Sequence, residues 1–402
     1  MTLHWVTATA RCPTGTSTTS SSAKRLRAED HVHIVQIANF VKADSGGIRR
    51  CLSQLQTEYR RRGHRVTTVL PQTGDCLPEP DTAHVKGSVV PFTGGYRAIV
   101  ARRPLRDLIS RLHPDIVELS DKTTLSWVPE WLARQGIPSV VISHERTDIV
   151  VSRYAPKFVP IGGLVTRFRS HVTEHADAIV CASRFAAAEF AESNDDSRQI
   201  RLIPLGVDLE GFRPSDERRE NETLSIVMCG RLSPEKQTNV AVRGFMELAA
   251  RRPAHLTIIG DGPLRAELET LAGNLPITFV GYLSSTQEIA RIIATSDVAL
   301  NLGPIETFGL ATLEALACGV PVVVSNEGGS REIIDDDCGR AVPSDPHMVA
   351  DAIEDLVSMP LDWRRRAARA RAERFSWGTT AESLLSLYGE LCPSLTRTGL
   401  TL

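Results

Sequence analysis

A chain of 402 residues, 42% hydrophobic and 23% charged, is long enough for two α/β domains and has an ordinary globular composition. The formal net charge of −2 excludes a nucleic-acid footprint, but it divides unevenly: roughly +5 over residues 31–205, which suits an anionic surface or acceptor, and roughly −9 over 206–402. The eight cysteines form no C-x-x-C pair and no metal-like grouping with histidine, and no apolar run approaches bilayer-spanning length, so buried thiols in a reducing cytoplasm are expected.

Residues 1–30 are rich in Ser and Thr, carry Lys24, Arg25 and Arg27, and lack the apolar core of a signal peptide; they read as a disordered tail or an over-long start. A first buried strand is expected over His31–Ala38. It enters Asn39–Ile48, where Gly46-Gly47 opens a helix. Glycine lets the backbone approach a ligand, and a helix N-terminus favours phosphate or hydroxyl oxygens. Tight strand-to-helix turns use glycine anyway, but the first such turn of a parallel sheet is a usual ligand position. The absence of G-x-G-x-x-G counts against a dinucleotide oxidoreductase. The helix from Ile48 to Arg62 puts Cys51, Leu52, Leu55 and Tyr59 on one side. Its arginines (49, 50, 60, 61 and 62) read as a solvated charged face rather than a membrane contact.

Val66–Leu70, Ile116–Glu118 and Ser139–Ile142 are further strands. Val90–Arg97, which includes Tyr96, suits a turn or an acceptor wall equally. Ser120-Asp121-Lys122 and Ser143-His144-Glu145-Arg146 lie at strand ends, the rim where parallel sheets bind ligands. From the residues alone, His144 reads as a structural hydrogen bond at a turn.

Ile203–Pro214, rich in Gly and Pro, reads as an inter-domain linker. A new first strand, Leu224–Cys229, enters Gly230-Arg231-Leu-Ser-Pro-Glu-Lys236. Arginine supplies a planar fork and lysine a mobile point charge, and together they can neutralise a diphosphate, although two loop cations also suit plain solvation. Ile277–Leu283 is a strand and turn. Asn301–Ser325 is the organising stretch: a buried strand ending at Gly303-Pro304, a helix with Leu310, Leu313, Leu316 and Ala317 at helical spacing, Gly319 at a left-handed cap, and a second strand, Val320–Val324. Thr307 is expected to cap this helix, with the N–H groups of Phe308, Gly309 and Leu310 facing outward at its positive end. Glu306 then lacks a structural task, and the arrangement suits a polyhydroxylated ligand. Glu314 falls among apolar neighbours, where an unpartnered charge is costly, so a hydrogen-bonding partner is expected. Residues 345–375 read as helical and basic, and Trp377–Leu391 as a helix with an apolar stripe.

Glu306 and Glu314, with Thr-Phe-Gly-Leu between them, resemble the paired-glutamate motif of the family-4 retaining glycosyltransferases; Gly230-Arg231-Leu232 with Lys236 resembles their diphosphate clamp. The resemblance covers about residues 31–390. Val35–Phe40, Ser45–Arg49, Phe92–Arg97 and Ile142–Arg146 look like the actinobacterial GDP-mannose-dependent α-mannosyltransferases of the phosphatidylinositol mannoside type. The N-terminal extension departs from the pattern.

The resemblance implies an α/β GT-B fold. An acceptor domain (31–205) and a nucleotide-sugar domain (206–376), both Rossmann-like, would face each other across a cleft, with 377–402 forming a helix that crosses back and a tail. It also implies roles. Arg231 and Lys236 hold the charge on the leaving diphosphate. Glu306 and the backbone of Thr307, Phe308, Gly309 and Leu310 grip the sugar, while Glu314 accepts from the ribose. Gly46, Gly47, Gly281 and Tyr282 line the donor, the last two at the base. His144 orients the sugar, and Asp121 and Tyr96 contact the acceptor. No nucleophile stands opposite the donor, so front-face attack is implied, and two clamp cations make a metal or other cofactor dispensable. The expected reaction moves mannose from GDP-mannose to a lipid-linked or glycoside acceptor, in the cytoplasm or peripherally at an anionic membrane. The alternatives are a UDP-sugar transferase for glucose or N-acetylglucosamine, and a sugar-nucleotide 2-epimerase, which needs further acid/base carboxylates.

Overall fold

A computed structural model describes residues 31–40, 47–72, 80–90, 95–149, 162–191, 199–215 and 223–392. Two separate parallel sheets organise them. The first contains β1 (His33–Ile37), β2 (Arg65–Gln72) and β3 (Thr82–Lys86). A short antiparallel hairpin of β4 (Ser88–Val89) and β5 (Arg97–Ala98) follows. The sheet is completed by β6 (Ile116–Leu119), β7 (Ser139–Ser143), β8 (Ala178–Cys181) and β9 (Ile200–Leu202), in the order β3-β2-β1-β6-β7-β8-β9. The second sheet contains β10 (Leu224–Cys229), β11 (Ala254–Ile259), β12 (Ile277–Gly281), β13 (Val298–Asn301), β14 (Val322–Ser325) and β15 (Gly339–Val342), in the order β12-β11-β10-β13-β14-β15. Helical crossovers cover both faces, which is why β1, β6, β7, β8 and β14 are buried at every position.

Strand order reverses between β1 and β6 in one sheet and between β10 and β13 in the other. These are the points where open α/β sheets leave a crevice beyond their carboxyl ends. Asn39-Phe40 and Ser120–Lys122 leave the first reversal, and Gly230–Lys236 and Leu302–Glu306 leave the second.

The final helix, Trp377–Leu391, packs on the helix Gly47–Arg61 of the first lobe. The Tyr388 hydroxyl donates to Glu118 Oε1 at 2.6 Å and lies 3.2 Å from the Tyr59 hydroxyl, while Gln36 donates to Glu118 Oε2 at 2.9 Å. Glu118 is completely buried, which pushes its carboxyl up, and these donors oppose the shift. Where the linker passes the start of this helix the chains touch: Val207 bridges Ser376, and a Cβ on Gly206 would lie 2.2 Å from Trp377 N. One apolar cluster therefore runs from Ile34 and Leu55 through Val207 and Phe212 to Leu313 and Leu316, joining the lobes.

Two details depart from the sequence reading. The 345–375 stretch is two helices, Pro346–Ser358 and Leu361–Glu373, because Pro360 interrupts the pattern. The basic face of the first helix is largely neutralised: Arg60 pairs with Asp81, Arg61 with Glu58, and Arg62 with Glu58 and Glu382. Among the described residues no helix is long and apolar enough to cross a membrane.

Candidate active site

The loops leaving β10 and β13 converge. After β10, Gly230 (φ +154°) starts the turn, and Pro234–Lys236 forms a short 3-10 helix that ends at Gln237 in the left-handed region. After β13, Gly303 passes beneath the Lys236 side chain: a Cβ there would lie 3.2 Å from Glu306 Cγ and 3.5 Å from Lys236 Cδ. Lys236 Nζ and Glu306 Oε1 pair beside it, with 33% and 20% of their side chains exposed. Arg231 is exposed, and among the described residues no carboxylate pairs with it.

The helix carrying Glu314 spans Leu310–Ala317, and Gly309 (φ +103°) precedes it. Thr307 therefore does not cap it. Only glycine adopts that φ without strain, so the chain bends at Gly309 and carries Thr307 out of capping range. A Cβ on Gly309 would also lie 2.2 Å from Ser330 Oγ, since the Gly328–Ser330 turn crosses at this point and Gly329 N donates to the Glu306 carbonyl at 2.6 Å. The first N–H groups of the helix, those of Leu310 and Ala311, have no preceding helical carbonyl to bond. The Phe308 side chain is core, edge-on to Phe375 at 6.1 Å, so only its backbone is available to a ligand; Leu310 packs against the same cluster. At the end of β12, Gly281 (φ +83°) gives its carbonyl to Gly260 N at 2.8 Å, and Tyr282 stands 58% exposed.

The first lobe closes against these loops. Thr307 Oγ1 donates to the His144 carbonyl at 2.5 Å, and Ser183 Oγ donates to the Thr307 carbonyl at 2.5 Å. The Glu332 carboxylate accepts from the N–H groups of Arg184 and Phe185 at 2.9 and 2.8 Å. His144 follows β7, its Nε2 3.1 Å from Ser120 Oγ. Desolvation, reinforced by the Lys122 charge, pushes its pKa down to about 4, so the ring is neutral at pH 7.

Lys122 is buried. It donates to Ser143 Oγ at 2.6 Å and to the Glu145 carbonyl, pairs with the buried Glu189, and lies 5.2 Å from the Phe190 ring centre. Asp121 is also buried, and both its oxygens are engaged: Thr123 N and Oγ1 donate to Oδ1 at 2.7 Å, while Asn39 and Thr124 donate to Oδ2 at 3.1 and 2.5 Å. Tyr96 is half-buried beside β5, its carbonyl accepting from Val90 N at 2.8 Å. The next residues tie this hairpin to the end of β1, with Phe40 N bonded to the Arg97 carbonyl and Ile99 N to Asn39 Oδ1. Gly47 begins the first helix; Gly46 lies outside the described residues.

Glu314 has a partner that the sequence did not single out: Arg50, from the first lobe. Burial pushes the Glu314 carboxyl up and Arg50 pulls against it. Ser183, Glu189 and Glu332 also escaped the sequence reading, for they belong to no motif and act only through contacts distant in the chain. A separate group, Glu130, His171 and His175, brings three potential metal-ligand atoms within 4.8 Å of one another and shares no residue with the cleft.

Comparison with known proteins gives the family and the fold. Residues 45–210 match the family described as Glycosyltransferase Family 4, and residues 223–359 match Glycosyl transferases group 1. The chain is 38% identical, over 92% of its length and 98% of the relative's, to a GDP-mannose-dependent alpha-(1-6)-phosphatidylinositol dimannoside mannosyltransferase of Mycobacterium tuberculosis. It is 30% identical, over 89% and 92%, to a D-inositol 3-phosphate glycosyltransferase of Saccharomonospora viridis. Sucrose-phosphate synthase from Thermosynechococcus elongatus shares the fold (TM-score 0.73, 22% identity, covering 90% of this chain and 100% of that one). So does Anabaena HepE in complex with UDP and glucose (TM-score 0.68, 16% identity, covering 89% and 99%). With both halves matched and a relative aligned along nearly its whole length, this chain belongs to the group 1/family 4 glycosyltransferases of GT-B fold.

Proposed function

We propose that this enzyme transfers mannose from GDP-mannose, with retention, to a lipid-linked mannoside such as a phosphatidylinositol mannoside. The observation that carries the donor site is the pairing of Lys236 with Glu306 across the two loops of one strand-order reversal, with Arg231 on the first loop and Glu314 in the helix that follows the second. The mannose and lipid assignments rest on the mycobacterial relative.

In this reading the donor diphosphate lies over the β10 loop. Lys236 turns from Glu306 to a phosphate oxygen, joined by Arg231, and Glu306 is released to accept from sugar hydroxyls. The acceptor hydroxyl attacks the anomeric carbon on the face that GDP leaves. The bond from that carbon to the β-phosphate oxygen breaks as the new glycosidic bond forms, and the acceptor's proton passes to the departing phosphate. Neutral His144 offers a ring nitrogen to the sugar from the acceptor side. Asp121, with both oxygens engaged, shapes the acceptor loop from beneath. Positioning and charge stabilisation supply the catalysis, with no metal required.

The lipid acceptor implies peripheral contact with an anionic membrane at its inner, cytoplasmic face. Exposed Arg102, Arg103 and Arg111 on the helix Arg102–Leu112, beside Val100 at 53% exposure, support the first lobe as the contacting side. The test is calorimetry with GDP, UDP and ADP. Tightest binding of GDP supports the reading, and preference for UDP replaces it with a UDP-sugar transferase.

A further inference from the structure

We infer that Arg50 is a positioning residue for donor recognition: supplied by the first lobe, it holds Glu314 as the acceptor for the ribose hydroxyls, so the nucleotide site is completed across the cleft. The inference rests on the donor reading above and goes beyond it by giving the first lobe a part in nucleotide recognition.

Glu314 lies within a helix whose neighbouring Leu313, Ala315 and Leu316 are buried, and only 7% of its side chain is exposed. A carboxylate so enclosed stays charged and oriented only if a donor faces it. Among the described residues that donor is Arg50, whose Nη1 meets Oε1. Of the two loop cations, Lys236 pairs with Glu306 and Arg231 is exposed, and neither has an ion pair with Glu314. Arg50 is itself held, its guanidinium 5.8 Å from the ring centre of Phe212 in the inter-domain linker. It also stands in the first turn of the helix that Gly47 opens. A carboxylate has two acceptor oxygens, and the contact on Oε1 leaves Oε2 for hydroxyl donors.

The experiment is a cycle of ligand and side-chain deletions. Full-length wild type, Arg50→Gln, Arg50→Lys and Glu314→Gln are titrated calorimetrically with GDP, with GMP and with 2′,3′-dideoxy-GDP, and thermal unfolding verifies that each is folded. Wild type is expected to lose about tenfold in affinity when the ribose hydroxyls are removed. In Arg50→Gln and Glu314→Gln the same removal should cost no more than about twofold, and Arg50→Lys should restore most of the discrimination. If Arg50→Gln binds GDP yet keeps the wild-type discrimination, the inference falls while the donor reading stands. If Arg50→Gln instead abolishes the preference for GDP over GMP and leaves the ribose preference intact, Arg50 serves the phosphates and the inference is equally overturned. If wild type binds no GDP, the donor reading fails and takes this inference with it.

Discussion

Lys236 and Glu306 pair directly between the β10 and β13 loops, 70 residues apart in the chain, with Gly303 packed against both side chains. Both side chains are partly exposed, so the pair contributes little to stability and is free to be exchanged for a ligand. Lys236→Ala and Glu306→Ala are each expected to lower kcat/KM by about 10²-fold or more, with unfolding midpoints close to wild type. Steady-state kinetics with chemical denaturation checks this, and unchanged turnover in both variants would refute the site.

Gly303→Ala separates geometry from charge. The new Cβ would lie 3.2 Å from Glu306 Cγ, with the Glu235 carbonyl at 3.4 Å and Lys236 Cδ at 3.5 Å in ordinary contact, so only the flexible Glu306 side chain must give and the fold should tolerate it. Displacing that group by even part of an ångström should cost about tenfold in kcat/KM. A loss of folded protein with no loss of specific activity would contradict this role.

In the proposed reading Arg231 and Lys236 neutralise the diphosphate in place of a metal, so transfer is expected to proceed in excess EDTA. A strict requirement for added magnesium would contradict that arrangement.

His144 is expected to leave no ionisation in the rate profile between pH 5.5 and 8, since its pKa is depressed from 6.5 to about 4. The linked effect on stability has a definite sign. In the unfolded chain the ring takes up a proton below pH 6.5, whereas the folded protein resists protonation down to about pH 4. The contribution is therefore complete above pH 6.5 and lost as the pH falls from there towards 4. His144→Gln should remove this share of the acid sensitivity, measured as the difference in urea midpoints between pH 7 and pH 5.

Tyr388→Phe deletes the hydroxyl that ties the crossing helix to buried Glu118. Leaving a buried acceptor without its donor costs about 1–3 kcal/mol, so urea unfolding should show a loss of that order while the donor loops remain intact.

The chain by itself determined the features written within about ten residues of one another. The strands were legible because parallel sheets demand continuous apolar runs, and Gly319 because its left-handed conformation (φ +71°) suits glycine after a helix. The two loops that bring Lys236 to Glu306 were legible as strand ends because their glycines and prolines sit within a few residues of each strand. Thr307 was misread for a physical reason: a threonine before an apolar stripe looks like a cap, and nothing local announces that Gly309 bends the chain so that its hydroxyl meets the His144 carbonyl. Arg50 looked like one arginine in a basic helix, and only the packing of the lobes set it on Glu314, 264 residues away. Lys122–Glu189 and the capping of Arg184 and Phe185 by Glu332 were invisible for the same reason. Periodicity and turn chemistry record what a residue does to its own neighbourhood, whereas the partner of a buried charge is decided by which surfaces meet when two sheets close on one linker and one crossing helix.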